Sequence, residues 1–206
     1  MWTLPQKVRD ELGIGNDEIL DDRQLENLIR EAQEQVKEDL FTYHFDEEID
    51  ISRAGNSWNG TNTTFNTFSY PIMDSNYDNI VNGSDIKCHW IDNDYAIQEA
   101  TITVSNATYG VVTITQSDGS TAIPSNADTI RVEYYSCHRN ISLNHLENLT
   151  TILTANSVMN TFKAGTSISM ADFQKNEKLL LLNPKIYLNK YYDLLRKLQG
   201  SSIKGV

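Results

Sequence analysis

Between residues 3 and 42 the apolar positions recur three and four apart. Leu25, Leu28, Ile29, Ala32, Val36 and Leu40 share one face of a 3.6-residue repeat, which predicts an amphipathic helix of about twenty residues, about 30 Å long. Asp21 and Gln24 stand ahead of it with capping-box spacing. Glu26 and Arg30 add a minor i,i+4 pair on its outer face. Before it, VRDEL (8–12) reads as a short helical turn closed by Gly13, and GIGND as a loop. That G-x-G lacks the third glycine and the preceding strand of a phosphate-binding loop.

From about residue 43 to 139 the period changes to two. IKCHWI (86–91), ATITVSN (100–106), YGVVTITQS (109–117) and TIRVEYYSC (129–137) alternate β-branched or aromatic residues with polar ones and read as strands. Asn106–Gly110 and Ser117–Ser120 carry turn chemistry between them. The glycine-containing polar stretch 52–68 predicts a long exposed loop or a loose hairpin. Helical spacing then returns. Ser142 is placed to cap a helix reaching Phe162, with Leu146, Leu149, Ile152, Leu153, Met159 and Phe162 inward. TSISM (166–170) reads as a short strand after Gly165. Asn183-Pro184 opens a last helix with its cap and first-turn proline in the favoured order. Ile186, Tyr187, Tyr191, Leu194, Leu195 and Leu198 form its stripe, and Gly200 ends it. These patterns predict an α+β chain: a small helical bundle from residues 1–42 and 140–206, with an inserted antiparallel β domain at 43–139.

Composition narrows the partners. At 206 residues and 39% hydrophobic content the chain can bury a core. A net charge of −11 argues against a protein held to nucleic acid by phosphate contacts, which needs a basic face. MWTLPQKVRDELG has no apolar signal core, and KLLLL is too short to cross a bilayer, so no membrane role is expected. The six N-x-[ST] sequons, such as Asn59 and Asn148, then carry no weight.

One stretch suggests a metal. In DSNYDNIVNGSDI (74–86), Asp74, Asn76, Asp78, Asn82 and Asp85 hold positions 1, 3, 5, 9 and 12 of a calcium loop, and Ile80 at position 7 offers its carbonyl. Val81 fits the apolar anchor at position 8. Position 6, where the turn needs φ > 0, is Asn79 in place of glycine. The flanks are not helical, so an EF-hand is excluded. The pattern resembles the calcium loop of dockerin modules, which also close on Asp. Dockerins carry two such repeats and this chain shows no second copy, so cohesin binding is not carried over. A structural Ca2+ is one reading; a turn whose Asp and Asn side chains bond their own backbone is the other.

Other chemistry is sparse. Cys88-His89 and Cys137-His138 invite a zinc reading, but neighbours on a strand point to opposite faces. Two free thiols are favoured, with a cross-strand disulfide as the alternative. No nucleophile elbow, Walker loop or zinc-protease motif occurs, and His44, His89, His138 and His145 are scattered. The expectation is a protein that is not an enzyme.

Element order carries more. VRDELGIGNDEILDDRQLENLIREAQEQVKEDL, TIRVEYYSCHRNISLNHLENLTTIL and NPKIYLNKYYDLLRKL resemble the opening helices, the strand-to-helix junction and the final helix of head–tail connectors. These are the adaptor or head-completion proteins of tailed bacteriophages and archaeal tailed viruses. The resemblance covers both helical ends, a little under half the chain, and its motifs are of modest specificity. It implies a structural virion protein of the neck, assembled in the host cytoplasm. Such proteins form homo-oligomeric rings of about a dozen subunits around the DNA channel. Their partners are the portal protein and a tail-completion or stopper protein. The resemblance also implies a portal-docking tail, here Leu198, Ile203, Lys204 and Val206. The competing expectations are another neck or tail protein, and a calcium-stabilised β-rich surface or adhesion module.

Overall fold

The computed structural model describes residues 1–14, 21–163 and 183–200. The short strand expected at 166–170 and the tail residues Ile203, Lys204 and Val206 lie outside the described residues. The chain divides into two compact units, Met1–Asp39 with Asn140–Val206, and Leu40–Arg139.

The helical unit is built from α1 (Pro5–Leu12), α2 (Asp22–Leu40), α3 (Leu143–Lys163) and α4 (Pro184–Gly200). Its ends are set locally. Gly13, at φ +67°, turns the backbone left-handed and lets the Ile14 N–H bond the Arg9 carbonyl at 3.0 Å. Ahead of α2 the Gln24 N–H donates to Asp21 Oδ1 at 2.7 Å, while Gln24 Oε1 accepts the Asp21 N–H at 3.2 Å. At α4 the Asn183 side chain accepts the Lys185 N–H. Val8, Leu12, Leu25, Ile29, Ala155, Val158, Met159 and Tyr187 then form one core. Ile186, expected inward, is exposed, because the buried stripe of α4 runs Tyr187, Tyr191, Leu195, Leu198.

The second unit corrects the expected architecture. The chain is α+β, but it is not a helical bundle carrying an inserted domain. It holds a six-stranded, curled antiparallel sheet. The strands are β1 (Thr42–Glu48), β2 (Thr64–Asn66), β3 (Ile86–Ile91), β4 (Ile97–Asn106), β5 (Val111–Gln116) and β6 (Thr129–Ser136). Their order is β1-β6-β3-β4-β5-β2. The alternation of apolar residues did not reveal the two edge strands. In β1 the pairing with β6 shifts between His44 and Glu47, where Asp46 takes φ +51°, so the period of two breaks mid-strand. In β2 only Phe65 of three residues is apolar and buried. Ile49, Phe65, Ile72, Ile86, Val112, Ile114, Ile130, Val132 and Tyr134 are among the residues of the sheet core.

Candidate functional site

The Asp74–Asp85 stretch is held between the Tyr70-Pro71 corner and β3. Asp74 is fully buried and acts as a hub. Its Oδ1 accepts the N–H of Tyr77 at 2.7 Å and of Asp78 at 3.3 Å, and its Oδ2 accepts the N–H of Asn79 at 2.8 Å. Those bonds require a tight coil, and Tyr77 and Asn79 meet it by adopting φ +66° and +67°. Asn79 thus does what glycine does at position 6 of a calcium loop. Asn76 and Asp78 each accept the N–H two residues on, at 3.0 and 2.8 Å. Val81 packs, partly buried, on the sheet core.

The loop closes with a capping box. Asn82 Oδ1 accepts the Ser84 N–H, and Asp85 Oδ2 accepts the Asn82 N–H at 3.0 Å. The other Asp85 oxygen takes the Ser75 N–H at 2.7 Å. A Cβ on Gly83 would sit 2.5 Å from the Ile102 carbonyl oxygen, so glycine is what lets this turn lie against β4.

As a metal centre the arrangement fits in part. Asp74, Asn76, Asp78 and the Ile80 carbonyl follow one another around the coil, as an oxygen-ligand loop requires. Asp85 instead clasps Ser75 to Asn82 through N–H donors. Among the described residues no three His, Cys, Asp or Glu side chains converge as a metal-binding group. Both Asp74 oxygens, Asn76 Oδ1 and Asp78 Oδ1 are likewise taken by backbone N–H groups of the loop, so these side chains hold their own turn.

A second cluster escaped the sequence reading. His44 stands on β1 and Ser136 on β6, 92 residues apart, and His44 Nε2 lies 2.7 Å from Ser136 Oγ. His44 Nδ1 lies 3.1 Å from Glu47 Oε2. Glu47 Oε1 also accepts the Tyr134 hydroxyl at 2.6 Å and the Phe68 N–H at 3.1 Å. The Tyr134 ring stacks on His44 at 4.8 Å. Desolvation, and then the Glu47 carboxylate, push the Tyr134 hydroxyl well above its ordinary pKa.

The connectivity is that of nucleophile, base and orienting acid. Nucleophilic attack needs a substrate carbon within about 3–3.5 Å of the hydroxyl oxygen. Ser136 is 6% exposed, with Thr42 paired on one side and Ile72 on the other. What the cluster does chemically is bind β1 to β6 across the bulge. Sequence spacing offered no signal for it, because the bulge brings Glu47 beside His44 and strand pairing supplies the rest.

The remaining candidates separate. Cys88 and Cys137 are free thiols, and burial pushes both up to about 12. Cys88-His89 lies in β3, where His89 turns to Asp46 at 3.5 Å; Cys137-His138 lies just past the end of β6. His145 contacts Ser142 at the start of α3. Leu198, expected in the docking tail, is buried in the α4 stripe. No described helix is long and apolar enough to cross a membrane. No protein-family model matches the chain, and no curated protein matches its sequence.

Proposed function

We propose that the chain is a structural head–tail adaptor, a ring-forming virion protein that links portal and tail around the DNA channel. The observation that supports this reading is the order of elements. A short helix and an acidic connection lead into α2, β6 with its VEYYS ending runs into α3, and a last helix α4 follows. A net charge of −11 suits a channel past which DNA must slide without adhering. Portal protein and a tail-completion or stopper protein are the partners this reading requires. Negative-stain imaging with sedimentation at virion-like salt tests it. Rings of about a dozen subunits that bind a portal ring are expected. A monomer with no affinity for a portal ring would sink the proposal.

In the same reading the Asp74–Asp85 loop is a local brace at the start of β3, with calcium as its structural ion. The coil around Asp74 and the left-handed Tyr77 and Asn79 support this. Calorimetric titration with Ca2+ should show weak binding that Asp78→Ala abolishes; identical flat traces would dispose of the ion and leave the hydrogen-bonded brace.

A further inference from the structure

The Asp74–Asp85 loop also forms one wall of a cavity of about 200 Å3 on the sheet unit, completed by β1, β3 and β6. Among the described residues no aliphatic side chain lines it. Tyr43 and Tyr135, tilted by 35° with centroids 4.8 Å apart, make an aromatic wall, and Ser75 and Ser84 bring loop hydroxyls bonded to Asp85 and Asn76. Lys87, Glu133 and Asp85 supply the charges, and each is already answered locally. Glu133 accepts the Tyr43 hydroxyl at 3.1 Å and lies 3.6 Å from the Lys87 ammonium. Asp85 is 4% exposed and holds the Ser75 and Asn82 N–H groups.

Those features select a ligand class. An apolar ligand would strip water from the Lys87–Glu133 pair and give no hydrogen bond in return. An anion would face two carboxylates with one lysine already engaged. A neutral polyhydroxylated ring satisfies both halves of the lining: its C–H face lies on tyrosine, and its hydroxyls reach Lys87, Glu133 and serine. The volume falls below the roughly 300–1,000 Å3 of drug-sized sites, so it takes one ring. Phe45, 72% exposed and 6.3 Å from Tyr43 between ring centroids, continues the aromatic row beyond the cavity for the next unit of a chain.

We propose that this cavity binds one sugar unit of a neutral glycan. The site stands on the sheet unit alone and does not depend on ring assembly. Saturation-transfer NMR of the full chain tests it, with glucose, galactose, mannose and N-acetylglucosamine as probes and inorganic phosphate and choline as charged controls. At least one of the four sugars should bind, and Tyr43→Ala and Lys87→Ala should each weaken it about tenfold or more, the loss of one good contact. Both replaced side chains are substantially exposed, so folding is not at stake, and far-ultraviolet circular dichroism checks that. Ile97→Ala, an exposed residue outside the lining, should leave binding unchanged. Silence from all four sugars overturns the proposal. So does a sugar signal that survives both variants, or one displaced by phosphate or choline.

Discussion

The helical and sheet units bury polar groups in different ways. In the helical unit most are settled by one or two partners. Thr151 and Thr154 bond carbonyls one turn back, Gln33 accepts the Trp2 N–H, and Arg9 meets Asp22 at 2.7 Å. In the sheet unit a few side chains each serve several donors. Asp74 takes three N–H groups; Glu47 takes a tyrosine hydroxyl and an N–H and faces His44; Asn56 joins Asp50 to Asn66. Single pairs on a helix can be lost one at a time, with packing as the main loss. A hub fails as a group, because removing it leaves several donors without a partner.

Four experiments press on that contrast. The largest loss is expected from Ile29→Ala in the helical unit, where a fully buried side chain leaves a cavity. Urea denaturation should show about 2–5 kcal/mol. Asp74→Ala in EDTA should follow at about 2–4 kcal/mol, since the Tyr77 and Asn79 N–H groups lose this acceptor, while the Asp78 N–H keeps Asn76 Oδ1 and partial exposure lets water relieve some of the cost. A loss under about 1 kcal/mol would mean that the loop does not depend on its hub. Glu47→Gln should come next, at about 1–3 kcal/mol, and His44→Ala in that background should add less than it does alone. Strict additivity would break the network into independent contacts.

The smallest effect is acid loss at the exposed turns of the sheet unit. Hydrogen bonds from Ser52, from Ala96 and Gln98, and from Thr121 hold Asp50, Asp92 and Asp118 below the usual carboxylate range, Asp118 down to about 2. A lowered folded pKa stabilises above the unfolded value near 3.9, and that contribution disappears as pH falls through the folded value. Urea midpoints should therefore drift down between about pH 4 and pH 2, and Asp118→Asn should remove part of the drift. An unchanged slope in Asp118→Asn would remove Asp118 from the account.

Much of the helical unit was legible because its determinants lie within one turn of each other. The Asp21–Gln24 box, the Gly13 stop and the Asn183-Pro184 start are where their spacing placed them. β3 to β6 were readable for the same reason, alternation over a few residues. The positive φ at Asn79 followed from its position in the loop. Ile186 was misassigned because two faces of α4 both carry apolar residues, and packing chose the one with Tyr187 and Tyr191.

The edge strands, the strand order, the His44–Glu47–Ser136–Tyr134 cluster and the cavity beside Tyr43 were decided in three dimensions. A broken period in β1 hid the strand that carries His44, Tyr43 and Phe45. The cluster's partners stand 87 and 92 residues apart, beyond the reach of any local pattern. Asp85 shows both levels in one residue. Its spacing marked it as a loop-closing oxygen, and folding turned that oxygen toward Ser75 and Asn82. Local hydrogen bonding can be read from neighbours along the chain, whereas the partner of a strand or of a buried carboxylate is set by which distant segments pack together.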